Sequence, residues 1–159
     1  MAKNNVMIIF TFLMALILTI LPMPEWSSWM RPAWVLLILI FWTLELPYHI
    51  NMGVAWIMGI FLDVLNGNLL GEHALALTVV IYLVSRLQTR LKMFPVIQQA
   101  LIVFLLVLFY QAIIYCIQGF TGQLPRTWMY WTSSVTSMLL WPWIVTLLRG
   151  NRKSFKSMA

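Results

Sequence analysis

Apolar residues gather into six runs along this chain, roughly 6–22, 33–47, 51–66, 73–86, 94–118 and 127–148, with short gaps between them. Runs of this kind predict membrane helices, since about 20 apolar residues rising about 1.5 Å each cross about 30 Å of hydrocarbon. The first, fifth and sixth runs meet that length. The third and fourth are marginal, which predicts tilt, irregularity or shielding by neighbouring helices. The first run is preceded by Lys3 and followed by Leu21-Pro22-Met23-Pro24-Glu25 with no small-residue cleavage pattern, so it is expected to be a retained helix. No gap is long enough for a folded domain, and no repeat or low-complexity tract is visible. The expectation is an all-α bundle forming one integral membrane domain over 1–159, with a basic tail at 149–159.

Composition narrows the class. Of 159 residues, 62% are hydrophobic and 9% charged, where a soluble domain carries about 25% charged residues. Too few polar groups are present to cover a watery surface, which argues against a soluble enzyme, a nucleic-acid-binding domain or a disordered tail. Ten Lys and Arg against four Asp and Glu give +6, a charge that in a membrane protein speaks of topology and anionic lipid. Lys3, then Arg86, Arg90 and Lys92, then Arg149, Arg152, Lys153 and Lys156 fall on one side; Arg31 and Arg126 fall on the other. The positive-inside rule places both termini in the cytoplasm, which requires an even number of crossings and favours six over five. The lone cysteine, Cys116, excludes an internal disulfide and a thiol metal site.

Polar residues inside apolar runs carry the remaining information, because a charge in hydrocarbon is costly unless paired or near an interface. Ala55, Gly59 and Asp63 recur every four residues, so two small side chains and an acid share one face of the third helix. Arg31 lies at the same side, before Pro32 in a favoured first-turn position. Two readings stand equally: Arg31 and Asp63 pair and fix the packing of helices two and three, or each snorkels separately to the interface. Glu45 and His49 are four apart, but Pro47 opposes a helix between them; an interfacial ion pair or separate snorkelling outweighs a proton path. Asp63, Glu72 and His73 lack the spacing of a metal or catalytic motif. Gln111, Tyr115 and Gln118 form a polar seam on the fifth helix. Ser133 and Ser137 form another on the sixth, beside Thr132 and Thr136; such seams signal interhelical hydrogen bonds more often than a ligand cavity. Pro142, between Trp141 and Trp143, is expected to kink the sixth helix. Neither a phosphate loop nor a hydrolase or metalloprotease motif is found.

Three strings then carry a resemblance: Arg31-Pro32-Ala33-Trp34 through Trp42, Gly59-Ile60-Phe61-Leu62-Asp63 followed by Gly67 to Gly71, and Leu140-Trp141-Pro142-Trp143. In order, spacing and chain length they resemble the proteobacterial branch of MreD, the bacterial rod shape-determining membrane protein family, over nearly the whole chain. The family pattern carries over to Arg31, Pro32, Gly59, Asp63, Gly71 and Pro142. The resemblance implies a six-helix fold similar to the substrate-binding subunits of energy-coupling-factor transporters. It further implies a non-catalytic role, without cofactor or metal, in side-wall peptidoglycan synthesis at the inner membrane. The partners it implies are MreC, the filament protein MreB, RodA and the elongation transpeptidase. Homodimerisation is compatible with it.

Three functions are therefore weighed. A scaffold holding MreC ranks first. A carrier, whose outer residues Asp63, Glu72, His73, Gln111 and Gln118 line a small-molecule pocket, ranks second, because the gap of about six residues between helices three and four offers little cover for a binding mouth. An intramembrane enzyme ranks last, for want of a coherent acid, base and nucleophile. Arg86, Arg90, Lys92 and the basic tail are candidates for contact with a cytoplasmic partner or anionic lipid.

Overall fold

In the computed structural model of the chain, the structure describes residues 2–123 and 128–157. Arg126, the first position of the sixth apolar run and the last two tail residues lie outside them. Six α-helices make the fold: α1 (Ala2–Ile20), α2 (Trp34–Glu45), α3 (Met52–Asn66), α4 (Glu72–Met93), α5 (Val96–Thr121) and α6 (Thr132–Ser157). Short 3-10 turns at Glu25–Met30 and Trp128–Trp131 precede α2 and α6. Among the described residues no strand is present.

The helix lengths differ from the sequence expectation in instructive ways. By length and composition α1, α4 and α5 suffice to cross a membrane, with α4, marginal as an apolar run, taking the place expected for the sixth, whereas α2 and α3 have only 12 and 15 residues. α4 runs to Met93 rather than stopping near residue 86, because Arg86, Arg90 and Lys92 are good helix formers and the basic residues of its last turn suit a helix C-terminus. α2 begins at Trp34, two residues after Pro32 rather than around it, and stops at Glu45 before Pro47, whose ring and missing N–H forbid continuation. The basic tail is helical as far as Ser157.

α2 is the core element. Every residue from Val35 to Leu44 is buried, which accounts for an apolar character all round the helix. It packs against α1, α4 and α6, while α3 packs most extensively on α4, and α5 lies against α4 and α6. The indole N–H of Trp42 donates to the Thr11 hydroxyl at 2.9 Å, tying α2 to α1 through a fully enclosed polar contact. On the outside, Ile9, Phe10, Leu13 and Ile17 of α1 and Ile97, Leu101 and Leu105 of α5 are exposed. Such surfaces suit a lipid solvent.

The small-residue face of α3 meets α4, not α2. Gly59 is the point of closest approach: a Cβ there would sit 2.2 Å from the Ala74 Cα and 2.5 Å from its nitrogen. Ala55 on α3 and Ala74 on α4 are both fully buried. Small side chains let the two backbones approach, and dispersion contacts then supply the attraction.

Candidate functional site

Charges gather at both ends of the bundle. At one end Asp63 is completely buried. Its Oδ2 accepts the Gly71 N–H at 2.8 Å and its Oδ1 the His73 N–H at 3.0 Å. The His73 Nδ1 lies 2.7 Å from the same Oδ1; a carboxylate can only accept, so Nδ1 carries the proton in this contact. Gly71 is the N-cap of α4 and His73 lies in its first turn, where backbone amides lack intrahelical partners and the helix dipole favours an anion. Asp63 therefore caps α4 from outside. Gly71, at φ +102°, supplies the left-handed turn that aims these amides back at α3.

Arg31 performs the opposite task. Its two terminal nitrogens donate to the carbonyls of Thr19 at 2.7 Å and Leu21 at 2.8 Å, at the C-terminal end of α1. A cation there satisfies free carbonyls and suits the dipole. In place of the suggested Arg31–Asp63 pair there are two separate helix-end contacts, each charge finding backbone partners of its own.

Around these two residues the seams close. Ser133 donates to the Arg31 carbonyl at 2.6 Å, and Ser137 accepts the Ala33 N–H at 3.2 Å, so α6 satisfies the irregular backbone entering α2. The Gln118 amide donates to the buried Glu72 carboxylate at 2.8 Å, and the Gln111 amide to the Tyr130 carbonyl at 3.1 Å. Tyr115 packs on Trp131 with ring centroids 6.1 Å apart. Burial, then the Glu72 carboxylate, push the Tyr130 phenol up to about 12. It remains a neutral hydroxyl at working pH.

Between these groups lies a cavity of about 260 Å³, bordered by Arg31, Trp34, His73, Tyr110, Gln111 and Tyr130. Among the described residues no group of three or more His, Cys, Asp or Glu is placed to hold a metal. Asp63 and His73 meet, while Glu72 turns to Gln118. Trp34, Tyr110 and Tyr130 were not legible as cavity residues in the sequence, since only the fold brings the start of α2, the middle of α5 and the turn before α6 together.

At the opposite end, Glu45 bonds Arg149 Nε at 3.1 Å and Arg152 at 2.5 Å. Arg149 and Arg152 are three apart on α6, so one carboxylate takes both. The considered Glu45–His49 contact is superseded by this one: the chain leaves the helix at Leu46 and Pro47, carrying His49 into the turn. Arg86, Arg90, Lys92, Lys153 and Lys156 are exposed at the ends of α4 and α6, with Arg86 stacked over Tyr82 at 5.3 Å. Pro142 lies inside α6.

Among the described residues, six helices, a central element buried from Val35 to Leu44, apolar outer faces and the carboxylates of Asp63, Glu72 and Glu45 engaged at helix ends define an all-α polytopic membrane protein. A family model described as rod shape-determining protein MreD matches residues 2–150. The rod shape-determining protein MreD of Haemophilus influenzae is 29% identical over 145 residues, covering 91% of this chain and 90% of the relative. No solved structure matches significantly. The chain belongs to the MreD family of rod shape-determining proteins.

Proposed function

We propose that this chain is a non-catalytic scaffold of the rod machinery, binding MreC in the inner membrane and supporting side-wall peptidoglycan synthesis with MreB, RodA and the elongation transpeptidase. The observation that carries the reading is the family match over residues 2–150. The geometry agrees with it. Asp63, Glu72 and Glu45 are all engaged within the bundle, and the connections between helices are short. Partners are then recognised through exposed apolar helix faces, where packing and a few polar contacts supply affinity. An MreC transmembrane helix suits such a face. The excess of Lys and Arg at the Glu45 end supports an orientation with both termini in the cytoplasm. There Arg86, Arg90, Lys92, Lys153 and Lys156 are the residues offered to MreB or to anionic lipid.

A tagged full-length chain purified from its own membranes in mild detergent, with mass spectrometry of co-purifying proteins and small molecules, tests this. The expected result is recovery of MreC and elongation-synthase proteins. Recovery of a transporter energising module, with no MreC, would replace the scaffold by a carrier.

A further inference from the structure

A partly polar cavity and an apolar cleft are both lined by one side chain, Trp34. Among the described residues, seven buried side-chain nitrogen or oxygen atoms lack a hydrogen-bond partner. Three of them, Arg31 Nε, Trp34 Nε1 and Gln111 Oε1, belong to residues bordering the 260 Å³ cavity. A buried polar group without a partner is costly, so a cluster of them calls for a ligand or ordered water. Gln111 is only 5% exposed, and its amide is already committed to the Tyr130 carbonyl. Its oxygen is left to accept. The guanidinium and indole N–H groups are donors only. The unmet demand is therefore specific: acceptor oxygens, preferably anionic, toward the start of α2, and a hydroxyl or ammonium donor toward α5.

Trp34 also walls a second, larger cavity of about 740 Å³ between α1 and α6. Phe10, Met14 and Leu18 of α1, Ile38 of α2, and Leu140 and Ile144 of α6 give it a strongly apolar lining. It follows α1 from Leu18 back to Val6, about 18 Å of helix axis, close to the depth of one leaflet of a ~30 Å hydrocarbon core. Leu18 adjoins Thr19, which borders the polar cavity. A partly polar pocket thus lies beside the head of an apolar channel of leaflet depth.

The geometry points to a bound phospholipid whose headgroup carries a hydrogen-bond donor beside its phosphate, as glycerol and ethanolamine headgroups do. The phosphate oxygens take Arg31 Nε–H and Trp34 Nε1–H, the headgroup hydroxyl or ammonium donates to Gln111 Oε1, and an acyl chain fills the α1–α6 cleft. The nearby carboxylates do not compete, since Asp63 is held by the first turn of α4 and Glu72 by Gln118. A choline headgroup has no N–H or O–H and leaves Gln111 unsatisfied. The inference stands apart from the scaffold reading and survives or fails without it.

The test uses full-length protein, delipidated in detergent, titrated with dioleoyl phosphatidylglycerol, phosphatidylethanolamine or phosphatidylcholine, or with soluble glycerol 3-phosphate, and read by native mass spectrometry. The expected result is one bound phosphatidylglycerol or phosphatidylethanolamine, at least about tenfold tighter than phosphatidylcholine. Trp34→Phe, which removes only the donor from an aromatic wall, weakens that binding about tenfold, and Ile144→Trp, which fills the cleft, abolishes it. Thermal melts in detergent verify folding; if Ile144→Trp does not fold, Trp34→Phe and the lipid ranking decide. Equal binding of all three lipids overturns the headgroup assignment. Glycerol 3-phosphate binding as tightly as the lipid reassigns the pocket to a soluble phosphate ester. No binding leaves the pocket to water, and capture of a partner's membrane helix in the cleft in place of lipid overturns the proposal equally.

Discussion

Asp63 and Arg31 illustrate how a buried charge is settled by backbone rather than by another charge. Three contacts converge on the Asp63 carboxylate, and Asp63→Ala removes the acceptor of the Gly71 and His73 amides at the start of α4. The loss expected is about 3 kcal/mol, from unmade charge-assisted bonds and desolvated donors, measurable as a fall in the unfolding midpoint in detergent. Exchanging the two charges, Arg31→Asp with Asp63→Arg, is expected to be worse than either single change, because an anion would face the carbonyls ending α1 and a cation the amides opening α4. Rescue by the double exchange in a thermal melt would restore the direct pair. That Asp63 matters was legible in the sequence from its place on a small-residue face. Its partners were not, because they are amides presented by a left-handed turn at Gly71, and hydrophobic periodicity carries no trace of backbone conformation.

Among the elements, the α3–α4 hairpin depends on the absence of a side chain. Gly59→Ala places a methyl within 2.2–2.9 Å of α4 backbone, which cannot move aside as a flexible side chain would. The helices must separate, at an expected cost of about 1–3 kcal/mol. Gly150→Ala, whose added methyl meets nothing within 4 Å, is the control expected to change the melt little. The other end behaves differently. Glu45 and its two arginines are partly exposed, so a double-mutant cycle of Glu45→Gln with Arg152→Gln is expected to give a coupling below about 1 kcal/mol. The existence of six helices could be read from apolar runs, since their length and lack of charge follow from the solvent alone. Their ends could not: α4 continues past residue 86 through charged residues that hydropathy reads as a stop, and α2 is cut short by Pro47, whose weight as a breaker was seen but not placed. The Ala55–Gly59–Asp63 face was legible as a contact, but its neighbour, α4, was not, because a helical face fixes direction and not partner.

For the whole molecule, the uneven charge predicts an orientation that a reporter can check. A fluorescent protein that matures only in the cytoplasm, fused after Ala159, is expected to shine, and alkaline phosphatase at the same point to stay inactive. The reverse pattern would overturn the orientation and move Arg86, Arg90 and Lys92 out of reach of cytoplasmic partners. The match to the MreD family extends over nearly the whole chain, so the functional reading belongs to the molecule as a unit and not to any one cluster in it. That breadth explains why polar residues taken singly suggested pairings and seams but no activity.

Two contacts also set a clock. The carbonyl of Arg31 and the amide of Ala33 are satisfied by Ser133 and Ser137, 102 and 104 residues later in the chain. At about 5–20 residues per second of synthesis, roughly 5–20 seconds pass between the emergence of α2 and that of its last supports. During that interval the twelve-residue helix is too short to hold the bilayer by itself. Until its final helix arrives the newborn α2 has only α1 and α4 to pack on, and a chain cut before residue 132 is expected to be degraded faster than the full-length protein, which a pulse-chase of the two would show.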